Sequence, residues 1–394
     1  MAKENNNTIT NIAYLQKVHL KGYKSIYDVK IDLLPGLNIV IGPNGSGKSN
    51  FLEMMKLGLS REDSKTSFSI KSELKIEVDE YEWLLKVEAV GELIDGEFYD
   101  LISEKLKKNR ENKYIIDYQK KVPFRISFFP FEENFSKEIL MLRSNIFPKL
   151  LTFSIPQNIP ILDFPYNYQE DSNDDFEILR GITTNFSIIN SIIRKLISNL
   201  SNQLLSDKRR IFKESNIKEE FSFDQSNIVI SSLQRFSPIK NIRINPIYSS
   251  NLVENNKLKA NNIFLEFRIN DKWLMWKDLS DGTKRLFYII AEIAIMKKGV
   301  FLLEEPEIGI HPSQLHLLMN FLKEQSKTKQ IIISTHSPQV LNILEEDVLN
   351  RIILTSYDPE KGTKLRKMKA AEIKKAKSYM DEEGLWLSDY WVHS

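Results

Sequence analysis

Leu37-Asn38-Ile39-Val40-Ile41-Gly42-Pro43-Asn44-Gly45-Ser46-Gly47-Lys48-Ser49 decides the fold class. An apolar run of strand length stops at a glycine-rich turn, and Gly42 to Ser49 fits G-x-x-x-x-G-K-[ST] at every fixed position. A helix is expected from Lys48 to about Leu59. Glycines let the backbone curl until its amides and the helix N-terminus face phosphate oxygens. Lys48 then reaches the β and γ phosphates, and the Ser49 hydroxyl is placed to ligate magnesium. The plain alternative, a glycine turn that caps a helix, is outweighed by the full match in its strand, turn and helix context. The expected fold is therefore α/β, with a mainly parallel central sheet flanked by helices.

Outward from that stretch, three further segments carry chemistry. Val300 to Leu303 is an apolar strand that runs into Glu304-Glu305-Pro306-Glu307, which puts carboxylates at the carboxyl edge of the sheet beside the phosphate loop. Glu304 is expected to support magnesium and Glu305 to orient the attacking water. Leu279-Ser280-Asp281-Gly282-Thr283 opens a helix and forms a second anion-binding end, although Ser-Asp-Gly alone also reads as an ordinary N-cap. Ser334-Thr335-His336-Ser337-Pro338 follows the apolar strand Gln330 to Ile333 and brings a histidine to the same sheet edge.

The N-terminal part alternates in the manner of strands at Tyr14 to Leu20 and Ile26 to Leu33, then again at Phe68 to Val78, Trp83 to Val90 and Phe124 to Phe129, which suggests a small antiparallel layer. Pro130 to Glu177 carries turn signals and the acids Asp163, Glu170, Asp171, Asp174, Asp175 and Glu177, read as a solvated loop. Ile188 to Leu204 has the spacing of an amphipathic helix, and strand signals return from Ile263 to Trp276. Helix and strand then alternate: a helix from about Gly282 to Lys297, one after Pro312, one near Gln339 to Leu344, and a strand from Arg351 to Ser356. The organisation expected is an N-terminal lobe over 1–129, a partly helical insert over 130–260, a C-terminal lobe over 261–360, and a basic tail with an aromatic end over 361–394.

Composition narrows the function classes. Hydrophobic residues at 42% and charged residues at 27% describe a globular chain. Lys and Arg total 55 against 53 Asp and Glu, so attraction to a polyanion has to come from local patches. Zero cysteines exclude disulfides, thiolate metal sites and a cysteine nucleophile. No signal peptide or membrane span is read, and the expected location is cytoplasmic.

These segments together resemble the ABC class of P-loop ATPases, in the RecF, SMC and OLD-nuclease branch. The resemblance rests on Tyr23-Lys24-Ser25-Ile26, the Walker A loop ending Ser49-Asn50, the signature Leu279 to Thr283, the Walker B segment Leu302 to Glu307 with His311-Pro312, and the switch histidine His336. It covers about the first 60 and the last 130 residues. It implies an ABC-type ATPase head with an antiparallel β layer and a largely helical insert. It also implies a nucleotide-sandwich dimer, or a higher homo-oligomer. Gly42, Pro43, Asn44, Gly45, Ser46, Gly47, Lys48, Ser49 and Asn50 of one subunit then bind ATP with Glu304, Glu305 and His336, while Ser280 and Gly282 reach across from the other. Glu304 stands where most ABC proteins have an aspartate, and the Q-loop glutamine is not placed, with Gln119 and Gln157 as candidates.

OLD nucleases continue into a Toprim domain whose metal-dependent cleavage needs a closely spaced aspartate pair. After His336 the aspartates Asp347, Asp358, Asp381 and Asp389 form no such pair, so no intrinsic nuclease is expected. Lys361, Lys364, Arg366, Lys367, Lys369, Lys374, Lys375 and Lys377, opposed by Glu372, either contact phosphate backbones or form a solvated face. Leu385 to Trp391 reads as a core cap or a docking segment. Short ATPases of this branch are similar to the ATPase subunits of anti-phage systems such as Septu and PARIS, which implies a sensor of DNA or phage components controlling a separate effector, a nuclease or toxin. Two other readings stand beside it: RecF-like DNA repair, and a transporter subunit, against which the 232 residues from Lys48 to Ser280 (280 minus 48) weigh.

Overall fold

A computed structural model describes residues 14–60, 71–78, 81–94, 97–108, 114–123, 149–151, 162–166, 226–244, 249–253, 257–263, 265–295, 299–342 and 346–383. These fall into two compact units. The phosphate loop lies within the described residues, whereas the helix read from Ile188 to Leu204, the strand from Phe124 to Phe129, Gln157, the acids from Glu170 to Glu177 and the Leu385 to Trp391 segment lie outside them.

The first unit is built on two sheets. One is antiparallel, in the order β2-β1-β4-β5-β6-β7, from β1 (Tyr14–Tyr23), β2 (Ile26–Asp32), β4 (Lys71–Val78), β5 (Tyr81–Ile94), β6 (Glu97–Lys108) and β7 (Tyr114–Pro123). It has six strands where the sequence suggested a small layer, because the lysines and acids of β6 and β7 interrupt the apolar alternation. The other sheet runs β18-β17-β3-β16-β15-β8, from β3 (Leu37–Ile41), β8 (Lys149–Leu151), β15 (Val300–Glu304), β16 (Gln330–Thr335), β17 (Ile352–Asp358) and β18 (Gly362–Lys367). It is parallel except for β18, which pairs antiparallel with β17. Residues 362–367, read from sequence as the start of a tail, are thus an edge strand of the central sheet.

Helix α1 (Lys48–Ser60) contacts β1 and β4 of one sheet and β15 and β16 of the other. Phe51, Leu52, Met54 and Met55 are all fully buried there, each contributing on the order of 2 kcal/mol of apolar burial. The helix that carries the end of the phosphate loop is therefore held from both sides. Gln330 ties the two sheets together: its amide oxygen accepts from the Leu15 amide at 2.8 Å, and its nitrogen donates to the carbonyls of Leu15 at 3.0 Å and Leu34 at 2.9 Å.

In the second unit, β9 (Leu162–Tyr166), β11 (Ser249–Val253) and β12 (Lys257–Ile263) make one three-stranded sheet, and β10 (Asn241–Ile244), β13 (Leu265–Ile269) and β14 (Lys272–Met275) make another. Asp163, read as part of a loop, sits in β9. The strand signals from Ile263 to Trp276 resolve into β13 and β14, a hairpin. Asn270 and Asp271 take φ of 47° and 62°, which reverses the chain in the two-residue turn that asparagine and aspartate tolerate. Helix α2 (Ser226–Phe236) packs on α3 (Asp281–Ile295), whose Leu286 to Ala294 are buried. Within 130–260 the described residues contain α2 as their helix, and the rest of their regular structure is strand. Among the described residues no helix is long and apolar enough to cross a membrane.

One buried charge lies away from the functional edge. Lys329, 3% exposed just before β16, donates to the side-chain oxygen of Gln325, and burial pulls its pKa down from 10.5 to about 8. Folded Lys329 releases its proton near pH 8 and unfolded Lys329 near pH 10.5, so between them the unfolded state binds more protons and stability rises with pH. Lys329→Met is expected to stabilise the chain at pH 7 by on the order of 2 kcal/mol in urea unfolding and to lose this rise. A less stable variant at pH 7 would show instead that the bond to Gln325 outweighs the burial of charge.

Candidate nucleotide-binding site

Three parallel strands bring their carboxyl ends to one edge. Ile41 pairs with Thr335, and Glu304 pairs with Ser334, so the phosphate loop, the acidic segment and the histidine turn start side by side. Backbone conformation shows why the loop is glycine-rich. Gly45 and Gly47 have φ of 79° and 96°, and a Cβ at Gly42 would stand 2.3 Å from the Thr355 carbonyl oxygen. The loop closes through the Ser46 amide on the Pro43 carbonyl at 3.2 Å, and Gly47 accepts the first helical bond from Phe51 at 2.9 Å.

Lys48 is 5% exposed. Its Nζ donates to the carbonyls of Gly42 at 2.8 Å and Pro43 at 3.0 Å, so it lies folded over the loop. Burial lowers its pKa, while the charges of Glu305, Glu307 and Glu304 act in the opposite direction. The ammonium and the three carboxylates of the acidic segment therefore share one electrostatic neighbourhood.

Glu305 has φ of 42°, a left-handed conformation that a non-glycine residue adopts at a cost of about 1 to 3 kcal/mol. Its amide bonds to the Ser334 carbonyl at 2.9 Å and its carbonyl accepts from the Ile308 amide at 3.2 Å, which fixes the turn. His336 Nδ1 lies 2.9 Å from Glu305 Oε1, and an ionised carboxylate only accepts, so Nδ1 donates. Glu307 was not singled out from sequence beyond its place in the motif. It accepts from Thr335 Oγ1 at 2.5 Å, and the same Oγ1 accepts from the Ser337 amide at 2.9 Å. Burial raises the pKa of Glu307 above the usual carboxylate range. Its position after an acidic pair was the available signal. Its bond to Thr335 was not legible, since the partner lies 28 residues downstream.

Several polar groups of this edge are unsatisfied. Ser46 Oγ, Ser334 Oγ, Thr355 Oγ1 and Glu307 Oε2 are buried without hydrogen-bond partners, and buried polar atoms are normally paired. The three hydroxyls among them can donate to phosphate oxygens, whereas the Glu307 carboxylate only accepts. Ser49 at the start of α1 and Glu304 at the end of β15 offer a hydroxyl and a carboxylate, oxygen donors of the kind that would hold magnesium. Asn50, expected to touch nucleotide, has its amide nitrogen 2.8 Å from Ser25 Oγ.

Ser280 and Gly282 lie in the second unit, at the start of α3. Ser280 Oγ accepts from the Thr283 amide at 3.2 Å and bonds Thr283 Oγ1 at 2.9 Å, the N-cap pattern. Gly282 is buried, and a Cβ there would stand 2.3 Å from the Gly309 carbonyl oxygen. Phe267, Trp276, Phe287 and Tyr288 form a cluster of edge-on and tilted rings beneath this helix start, with centroids 5.0 to 5.9 Å apart. Of the Q-loop candidates, Gln119 sits in β7 opposite Ser103, at the outer edge of the antiparallel sheet.

A family model described as "AAA domain, putative AbiEii toxin, Type IV TA system" matches residues 37–342. The chain is 25% identical over 358 residues to a Helicobacter pylori protein named ATP/GTP phosphatase, covering 84% of this chain and 88% of that one. It is 23% identical over 374 residues to the Septu protein PtuA of Bacillus thuringiensis, covering 90% and 78%. It is 23% identical over 360 residues to Endonuclease GajA of Bacillus cereus, covering 85% of this chain and 57% of GajA, so it spans little more than half of that protein. Among solved structures, an SMC head bound to the C-terminal winged-helix domain of ScpA superposes with a TM-score of 0.52 at 16% identity, over 92% of this chain and 99% of that one. This likeness establishes the fold: an SMC-like head with a mixed central sheet and antiparallel sheets.

Proposed function

The chain belongs to this AAA-domain family, an SMC-type ATPase head related to defence proteins, and from that premise we propose that it binds and hydrolyses ATP as a dimer that controls a separate effector. The observation that carries the reading is the meeting of Lys48, Glu304, Glu305 and His336 at one sheet edge behind a loop in the phosphate-cradling conformation.

Each group has a task. The loop amides and Lys48 bind the phosphates, and Lys48 moves its donors from the Gly42 and Pro43 carbonyls to phosphate oxygens. Glu305 Oε atoms hold the attacking water and take its proton, and His336 keeps that carboxylate aimed. Ser49 and Glu304 hold magnesium, which when bound neutralises phosphate charge. Ser280 and Gly282 serve the nucleotide of the partner subunit, the arrangement implied by the resemblance to ABC ATPases. Similarity to PtuA and GajA supports a role in defence against phage, with DNA or a phage component as the trigger and the effector, a nuclease or toxin, as the output. The chain itself acts in the cytoplasm without cleaving DNA.

Removing the water-activating carboxylate while keeping the nucleotide site should trap the assembled state. Glu305→Gln with magnesium-ATP is expected to double its light-scattering mass, and to return to the starting mass when ATP is withheld. A mass unaffected by ATP would refute the nucleotide-driven dimer. Co-purification with the product of an adjacent gene tests the effector.

A further inference from the structure

Gly47 is held from behind by two segments remote from it in sequence. A Cβ at Gly47 would stand 1.9 Å from Thr363 Oγ1 and 2.8 Å from Ser25 Oγ, so both hydroxyls press on the bare α-carbon. Those hydroxyls bond each other across 338 residues: Thr363 Oγ1 donates to Ser25 Oγ at 2.8 Å, and the Thr363 amide donates to the Ser25 carbonyl at 2.7 Å. Asn50, in the first turn of α1, donates to the same Ser25 Oγ at 2.8 Å. Ser25 belongs to the two-residue turn between β1 and β2, where Lys24 has φ of 46° and its Nζ lies 2.6 Å from Glu53 on α1. On the other side, Gly362 is required because a Cβ there would stand 2.4 Å from the Ser25 carbonyl oxygen. Thr363 itself is 1% exposed.

Three chain segments thus meet on the back of the phosphate loop, at the glycine whose φ of 96° sets the direction of the last loop amides. No step of the hydrolysis uses Thr363 or Ser25. We propose that Thr363, acting through Ser25, is a positioning residue that holds Gly47 and the phosphate loop in the conformation that binds nucleotide. The inference rests on the nucleotide reading of the loop and adds to it the part of the fold that keeps the loop open. A hydroxyl at 363 makes the strand after β17 a structural partner of a loop more than three hundred residues earlier.

Thr363→Val keeps the shape and removes the donor, and Thr363→Ser keeps the donor. Affinity for a fluorescent ATP analogue, and KM and kcat for phosphate release, are to be measured for both and for Ser25→Ala. Thr363→Val is expected to raise Kd and KM about fivefold with kcat within twofold of wild type, the loss of a single buried hydrogen bond acting on ground-state and transition-state binding alike. Thr363→Ser should match wild type. Ser25→Ala should weaken binding to a similar degree, and adding Thr363→Val to it should weaken binding little further, because both remove the same bond. Ser25→Ala also keeps the test available where Thr363→Val does not fold. Unchanged KM in Thr363→Val or Ser25→Ala overturns the proposal, as does equal weakening in Thr363→Val and Thr363→Ser, since the hydroxyl would then be irrelevant. A wild-type chain that binds no ATP removes the nucleotide reading and this inference with it, whereas wild-type binding with unaffected variants removes this inference alone.

Discussion

Lys48→Ala is expected to lower kcat/KM for ATP by at least about a thousandfold while leaving the melting temperature unchanged or higher. The catalytic half follows from the neighbourhood of the side chain. Its Nζ caps the Gly42 and Pro43 carbonyls and lies in the field of Glu304, Glu305 and Glu307. Without the ammonium, the negative charges of Glu304, Glu305 and Glu307 lose the cation on which they act, and phosphate binding is expected to be opposed as well as unassisted. The stability half follows from the sign of the pKa change. Burial lowers the pKa of Lys48, so the charged form is disfavoured in the fold and its removal relieves that burden. Phosphate release and thermal unfolding followed by circular dichroism check both halves. Turnover within tenfold of wild type would remove Lys48 from the site, and a large fall in melting temperature would make it a structural residue.

Gly282→Ala should produce the opposite dissociation of effects. The new methyl would meet the Gly309 carbonyl oxygen at 2.3 Å, the Gly309 carbonyl carbon at 3.2 Å and Ile310 Cα at 3.4 Å. All three are backbone atoms, so the start of α3 has to move, at a cost of about 2 to 3 kcal/mol. ATP binding, which depends on the first unit, is expected to stay within threefold of wild type. Under the proposed sandwich dimer, in which Ser280 serves the nucleotide of the partner subunit, turnover is expected to fall about a hundredfold because the helix start that carries Ser280 is displaced. Analogue binding and phosphate release measured together separate the two. A variant that loses binding as severely as turnover would place Gly282 in the same subunit's nucleotide site.

The inner strands of the central sheet were legible because they are mostly apolar and end in chemically marked turns, whereas its edge strands β8 and β18 were read as loop and tail. Leu37 to Ile41, Val300 to Leu303 and Gln330 to Ser334 are buried on both faces, and their pattern depends on no partner. Motif order brought Glu305 and His336 to the same sheet edge, and the 2.9 Å contact between them was not legible in the sequence. What escaped reading depends on distant residues or weak patterns. β6 carries charge on half of its positions and β7 on three of ten, which breaks the apolar alternation, and their pairing with neighbouring strands is absent from any local window. The Asn270-Asp271 turn was present in the sequence but sat inside an otherwise continuous strand signal. Thr363 lay in a stretch whose lysines drew the reading toward a solvated or phosphate-binding tail. In the structure Lys364 pairs with Asp358 at 2.5 Å and Arg366 pairs with Glu372 at 2.8 Å, so part of that charge is neutralised locally. Nothing adjacent in sequence announces that a threonine among lysines touches the phosphate loop.

The neighbours of β3 impose an order on folding. Its two flanking strands are β16 and β17, which begin at residues 330 and 352, while β3 ends at residue 41. During synthesis, the most apolar strand of the site and the loop that follows it wait unpaired for roughly three hundred residues of translation, on the order of half a minute at ordinary ribosome speeds. The antiparallel hairpins from β4 to β7 pair locally and form early, but the site has a high contact order and forms last. A chain arrested before β16 therefore carries an intact phosphate-loop sequence with no sheet on which to mount it, and an exposed strand prone to wrong pairing. Competence to bind nucleotide thus reports completion of the central sheet, and ATP present in the cell favours the finished chain over its truncated products.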